Sequence, residues 1–179
     1  MGSEMCIRDS FQAAQDKNTG GYYGLTSIDA LFGQAHTNQT GAAFIHSNSW
    51  GFPTLMGRYT TTSVRVDQYV WDNPDFLPVF SAGNSGGQTG IASSVISPGT
   101  AKNALTVGSS YNLDSSSAID VLANNSGRGP VLDGRVKPDI VAPGVSIYST
   151  ASTARYDHCL LYTSPSPRDL STSRMPSSA

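Results

Sequence analysis

Cysteine is nearly absent from this chain: among 179 residues there are two, Cys6 and Cys159. Both fall in end segments that are set aside below, so no disulfide framework and no thiolate metal site is argued from them. Glutamate occurs once, at Glu4, which leaves Asp as the acid of the whole interior sequence. The balance of 11 Lys and Arg against 13 Asp and Glu gives a formal net charge of −2. No basic stripe offers a nucleic-acid footprint. No apolar run reaches the length of a membrane span, and the N-terminus lacks the apolar stretch of a secretory signal. The 3 histidines, His36, His46 and His158, stand far apart in the sequence. What is plentiful is Ser, Thr, Asn and Gly with few Lys, a composition that suits an exported protein.

Short apolar runs alternate with helical periodicity. Thr26 or Ser27 can cap a helix to about His36, with Ile28, Leu31, Phe32 and Ala35 on one face. Ala42 to His46 reads as a strand. Thr60 to Thr62 open a second helix carrying Val66, Tyr69, Val70 and Trp71, which Asn73-Pro74 stops. Strands follow at Leu77–Ala82 and Ala104–Ser109, with further strand-like segments at Val121–Ala123, Asp139–Ala142 and Ser146–Ser149. Phe11 to Gln15 reads as a strand stump and Asp16 to Gly24 as a Gly-rich loop. This alternation predicts an α/β fold: a parallel sheet with helices on both faces, in one truncated domain.

The two ends can be written as one DNA element in opposite orientations. Met5-Cys6-Ile7-Arg8-Asp9-Ser10 can be written ATG TGT ATA AGA GAC AG. The reverse complement, shifted in frame, encodes Cys159-Leu160-Leu161-Tyr162-Thr163 and opens Ser164. The element resembles a transposon-end sequencing adapter. Residues 1–10 and 159–179 are therefore expected to be adapter-derived rather than native, with 11–158 the genuine, internal segment of a longer domain. The 159–179 tail is expected to lack stable packing. With the ends set aside, no cysteine remains.

The most informative stretch is Pro78-Val79-Phe80-Ser81-Ala82-Gly83-Asn84-Ser85-Gly86. An apolar strand runs into small residues and a Gly-Asn turn. Such a turn can hold the Asn84 amide at a strand end, where a neutral donor suits the negative oxygen that develops when a carbonyl is attacked. Taken alone, Gly-Asn at a strand end is more often a plain turn. A phosphate loop is the poorer reading of Gly83–Gly87, because no Lys-Ser/Thr follows. Three further blocks accompany this one: Ser47-Asn48-Ser49-Trp50-Gly51, the run from Ser97-Pro98-Gly99 to Val107-Gly108, and Gly134 to Gly144 with Lys137-Pro138-Asp139 and Ala142-Pro143-Gly144.

In this order and spacing the four blocks resemble the subtilisin-like serine peptidases, the subtilases, over residues 11–158. The resemblance implies that Asn84 donates to the oxyanion, and that Ser49, Trp50 and Gly51 form a strand edge pairing with extended substrate. Gly20 and Gly21 would supply the opposing edge. Ser81, Ala82 and Gly83 would floor the pocket for the residue before the scissile bond, their small side chains leaving room for a large substrate group. Trp50, where Leu is common, suits core packing and pocket lining equally. Ser97-Pro98 aligns with a cis bond of the family, although a trans proline opening a short helix at 99–102 competes. Asn125-Ser126-Gly127-Arg128 carries Gly127 where the family has Ser.

The family's catalytic triad needs Asp in Asp-(Ser/Thr)-Gly, His in His-Gly-Thr-His and Ser in Gly-Thr-Ser-Met-Ala. None of these motifs occurs, and each histidine reads as an ordinary surface or core residue. The expected function is therefore the central part of a serine endopeptidase, inactive by itself. A non-catalytic peptide-binding relative, a pseudoprotease, is the alternative. The implied partner is a peptide or protein substrate, with no nucleic acid and no membrane. No cofactor and no metal ligand set is assigned, though calcium is compatible with the family. The parent protein is expected to be secreted or held in the cell envelope.

Overall fold

A computed structural model describes residues 27–37, 42–87, 93–112, 120–145, 147–150 and 156–159. Its centre is a four-stranded sheet in the order β1-β2-β3-β4, formed by β1 (Ile45–Asn48), β2 (Leu77–Ser81), β3 (Leu105–Ser110) and β4 (Ile140–Pro143). All neighbouring pairs are parallel. The first three strands coincide with the apolar runs expected to lie side by side. β5 (Ile147–Thr150) departs from that pattern and pairs antiparallel with β6 (Tyr156–Cys159) in a separate two-stranded sheet. Cys159, set outside the native segment on sequence grounds, is thus the last residue of β6. Residues 160–179, like the expected strand at Phe11–Gln15 and the loop at Asp16–Gly24, lie outside the described residues. Val121–Ala123 forms only a bridge, between Leu122 and Ser110, rather than a strand.

One helix precedes β1 and a second joins β1 to β2. Helix α1 (Ile28–His36) is capped by Ser27, whose Oγ accepts from the Ala30 amide at 3.1 Å. Helix α2 (Thr61–Asp72) is capped in the same way by Thr60 and ends at Asn73. Such a cap satisfies one of the amides that a helix N-terminus leaves without a partner. Both helices join one apolar cluster: Leu31 and Phe32 from α1, Val66 and Tyr69 from α2, with Phe76 and Phe80 from the sheet side. Phe32 is the hub, with ring centroids 5.0 Å from Phe76 and 5.3 Å from Tyr69. Trp71, expected on the buried stripe, instead points away and is 79% exposed. It falls two residues after Tyr69, and a two-residue step turns about 200° around a helix.

The two described helices lie together on the face of the sheet that carries Phe80. The other face has its own small cluster of Val79, Val107 and Ala142, with Leu105 beside it. No described helix covers it, and Ile45 (61%), Leu77 (39%) and Ile140 (46%) stay exposed there.

Polar contacts fix the connections. Buried Asp67 of α2 accepts from the Lys102 and Asn103 amides at 3.0 and 2.7 Å and from the Tyr59 hydroxyl at 2.6 Å. Ser97 Oγ lies 2.6 Å from Thr60 Oγ1 and 3.2 Å from Ser63 Oγ, while Thr100 Oγ1 donates to the Arg58 carbonyl at 2.8 Å. These bonds hold the 97–103 segment against the start of α2. The Ser97–Pro98 bond within it is cis, as are Gly129–Pro130 and Lys137–Pro138. At the foot of β3, buried Lys137 donates to the Ala104 carbonyl at 2.8 Å and to Asp139 Oδ2 at 2.6 Å. Asp139 Oδ2 also accepts from the Thr106 amide at 2.6 Å.

Candidate functional site

In parallel α/β sheets the carboxyl ends of the strands gather at one edge, where ligands bind. β1 and β2 are hydrogen-bonded neighbours in parallel register, with Asn48 opposite Phe80. Their exits therefore emerge side by side. Ser49-Trp50-Gly51 leaves β1, and Ala82-Gly83-Asn84 leaves β2, so the structure brings these two sequence-predicted groups to one edge. Gly20 and Gly21 lie outside the described residues.

Asn84 is exposed and makes no hydrogen bond among the described residues, so its amide is unspent. The backbone that carries it is tightly held. Gly83 takes φ +97°, a region that disfavours every residue with a Cβ. The Gly83 carbonyl accepts from the Gly127 amide at 2.8 Å, and the Gly86 amide donates to the Asn125 carbonyl at 3.1 Å. One loop, 123–128, thus clamps the turn on both sides of Asn84. It can approach so closely because Gly127 lacks a side chain: a Cβ there would collide with the Ala82 carbonyl oxygen. Ser126 Oγ in turn accepts from the Ser109 amide at 2.9 Å and ties the loop to β3. The sequence signal for this clamp was Gly127 standing where the family pattern has Ser.

On the β1 side, Ser49 is exposed and Trp50 half-buried. Trp50 packs edge-on to Phe80, centroids 5.4 Å apart, at the rim of the apolar cluster. Its Nε1 donates to Asn48 Oδ1 at 3.0 Å. Asn48 is a residue the sequence reading passed over. Only 2% exposed, it donates from Nδ2 to the His46 carbonyl at 2.8 Å and to the Val79 carbonyl at 3.3 Å. A buried amide with both ends engaged locks its neighbours in place, here the end of β1 and the indole.

A third segment runs between the two exits. The Ile96 amide donates to the Ala82 carbonyl at 3.0 Å, and the Phe52 amide to the Ser97 carbonyl at 2.8 Å. Gly51 was expected to belong to the edge that pairs with extended substrate. The backbone beside it in the structure is the chain's own: a Cβ on Gly51 would lie 2.7 Å from the Ser97 carbonyl oxygen. Ile96 is buried, and its side chain packs against both Gly83 and Gly51.

The histidines stand apart from this chemistry. His46 is half-buried beside Phe32 and Phe76, with Nδ1 3.1 Å from Asn48 Oδ1, and its partial burial holds its pKa below the ordinary value. His36 pairs with Asp75 at 3.3 Å. Among the described residues no group of His, Cys, Asp or Glu could hold a metal ion, and no helix is long and apolar enough to cross a membrane.

An open parallel sheet with this edge is the architecture of subtilisin-like proteases. The prenylagaramide maturation protease PagA superposes with a TM-score of 0.51 at 21% identity, over 70% of this chain and 39% of its own. The subtilase family model of peptidase S8 matches residues 12–168, and the chain belongs to that family. The match runs past residue 158 into the stretch expected to be foreign. Serine protease AprX of Bacillus subtilis is 38% identical over 94 residues, 52% of this chain and 20% of AprX. Pyrolysin of Pyrococcus furiosus is 30% identical over 143 residues, 68% of this chain and 10% of pyrolysin. The chain thus spans a fifth or less of these two relatives.

Proposed function

We propose that this chain is the central segment of a secreted serine endopeptidase, flanked at 1–10 and 159–179 by adapter-derived residues, and that Asn84 supplies one donor of its oxyanion hole. The observation that carries the reading is the clamped turn of Gly83 to Gly86, which presents an unspent amide at the carboxyl edge of β2. A donor fixed before the reaction stabilises a developing oxyanion without reorganising as charge appears. Ser49 to Gly51 would pair with the extended substrate on the β1 side. The nucleophile, its base and the second oxyanion donor would come from outside this segment, so the chain alone should not hydrolyse peptides. The substrate is a peptide or protein, and no cofactor takes part in the steps assigned to these residues.

The test is Asn84→Leu in the full-length protein. Leu matches the size and removes the donor. Turnover should fall by roughly 10²–10³ with KM little changed, because the bond forms mainly in the transition state. That magnitude is the one known for an oxyanion asparagine of this family, not a value obtained from the present structure. Unchanged turnover would end the oxyanion assignment. Inhibitor-sensitive hydrolysis by the purified 179-residue chain would end the claim that it is an inactive segment.

A further inference from the structure

Asn84 and Ser85 carry two reactive groups that the fold leaves unused. The Asn84 side chain is exposed and unbonded, and among the described residues the Ser85 amide donates to nothing. The clamp on this turn stops at either side of them, taking the Gly83 carbonyl and the Gly86 amide. A backbone nitrogen that follows an asparagine is a built-in nucleophile toward that asparagine's side chain. It reaches the side-chain carbon by closing a five-membered ring, and a small following residue such as Ser leaves the approach open.

The other described asparagines each lack one requirement. Asn48 is buried, with its amide bonded to the His46 and Val79 carbonyls. Asn73 bonds the Tyr69 carbonyl and precedes Pro74, which has no N–H. Asn103 bonds the Asp67 carbonyl. Asn125 precedes Ser126, but the Ser126 amide is spent on the Ala123 carbonyl at 3.1 Å. Asn112 and Asn124 precede the bulkier Leu113 and Asn125.

We propose that Asn84–Ser85 is a spontaneous modification site, and that Asn84 is the first of the described asparagines to deamidate. Hydroxide takes the Ser85 N–H proton, and the nitrogen attacks Asn84 Cγ. The Cγ–Nδ2 bond breaks, and Nδ2 leaves as ammonia with a proton from water, which regenerates the hydroxide. Water then opens the succinimide at Cγ to give Asp, or at the main-chain carbonyl carbon to give isoaspartate. Nothing is oxidised or reduced. Either product carries a carboxylate, which accepts hydrogen bonds and donates none. Isoaspartate also adds a backbone carbon between the two bonds of the clamp. The modification stands on the turn alone. Its effect on turnover rests on the oxyanion reading above, under which the enzyme carries a limit to its own working life.

The experiment ages the full-length protein in mildly alkaline buffer and maps the peptides of the intact fraction by mass spectrometry, with isoaspartyl methyltransferase labelling for the second product. Asp and isoaspartate should accumulate at position 84 before any other described asparagine reacts. Ser85→Val, branched at Cβ and stiff, should slow the conversion several-fold, with Ser85→Thr in its place if the Val variant is insoluble. Turnover should decline in step with conversion, and Asn84→Asp made directly should be slower than the parent by about 10²-fold or more. Earlier reaction at another described asparagine, or a rate unmoved by the branched residue at 85, overturns the proposal. The comparison among asparagines is made within one chain, so it holds even where no variant folds. Conversion at 84 with turnover unchanged supports the modification site and overturns the oxyanion assignment.

Discussion

Removing Asp139 should cost more stability than removing Lys137, although the two form one ion pair. The Lys137 side chain is 3% exposed and that of Asp139 34%. Asp139→Ala leaves an ammonium buried with only two neutral oxygens, the Ala104 carbonyl and Thr106 Oγ1 at 3.2 Å. It also takes the acceptor from the Thr106 amide. Breaking a buried pair from the side that leaves the charge uncompensated costs about 3–5 kcal/mol. Lys137→Met has a milder outcome. Met fills a similar volume, Asp139 keeps its bond to the Thr106 amide, and water reaches the carboxylate. The main loss is the hydrogen bond to the Ala104 carbonyl, about 1–3 kcal/mol with its desolvation. The double substitution should cost less than the two singles combined, since no charge is then stranded. Urea unfolding of the 179-residue chain, followed by tryptophan fluorescence, gives all three values. Equal costs, or a larger loss for Lys137→Met, would refute the argument that exposure sets the asymmetry.

Gly127→Ala should force the 123–128 loop off the Ala82 carbonyl and release the Asn84 turn; about 1–3 kcal/mol of stability should go, and turnover of the full-length protein should fall further than its KM rises. Burial first, and then the bond to Asp67, raise the Tyr59 hydroxyl from its ordinary 10.0 to about 12. The fold favours the neutral phenol, so that contribution is complete below about pH 10 and fades as pH climbs through 12. The stability difference between the chain and Tyr59→Phe, from urea midpoints across that range, should shrink toward alkaline pH; a difference constant with pH would count against the bond. Ser27→Ala removes the α1 cap and should cost about 1 kcal/mol in the same unfolding assay, with no loss arguing that the cap is frayed in solution.

The elements that local pattern controls were legible in the sequence. Leu31 and Phe32 of α1, the caps at Ser27 and Thr60, the stop at Asn73 and the strands around Val79 and Val107 follow from periodicity and capping chemistry. The grouping of Asn84 with Trp50 at one edge was legible too, because parallel strands put their exits together. Trp71 was misassigned because the apolar stripe was read one residue too wide. Ile96 escaped for a different reason. Its side chain, packed against Gly51 and Gly83, arrives from a segment that periodicity does not orient. The β5–β6 hairpin escaped because a short apolar run does not disclose the direction of its partner.

The parallel order of the sheet also has a kinetic meaning. No strand of β1 to β4 meets its neighbour through a tight turn; each pairing spans a crossover. Such contacts close long loops before they are rewarded, which slows folding. The Asn84 turn is further delayed, since Gly127 and Asn125, which fasten it, follow β3 in the chain. During synthesis the donor turn therefore waits for a loop not yet made, and in refolding it should become rigid only after β3 has docked. Hydrogen-exchange labelling during refolding should find the Gly86 amide protected later than amides of β2; earlier protection would reverse that order.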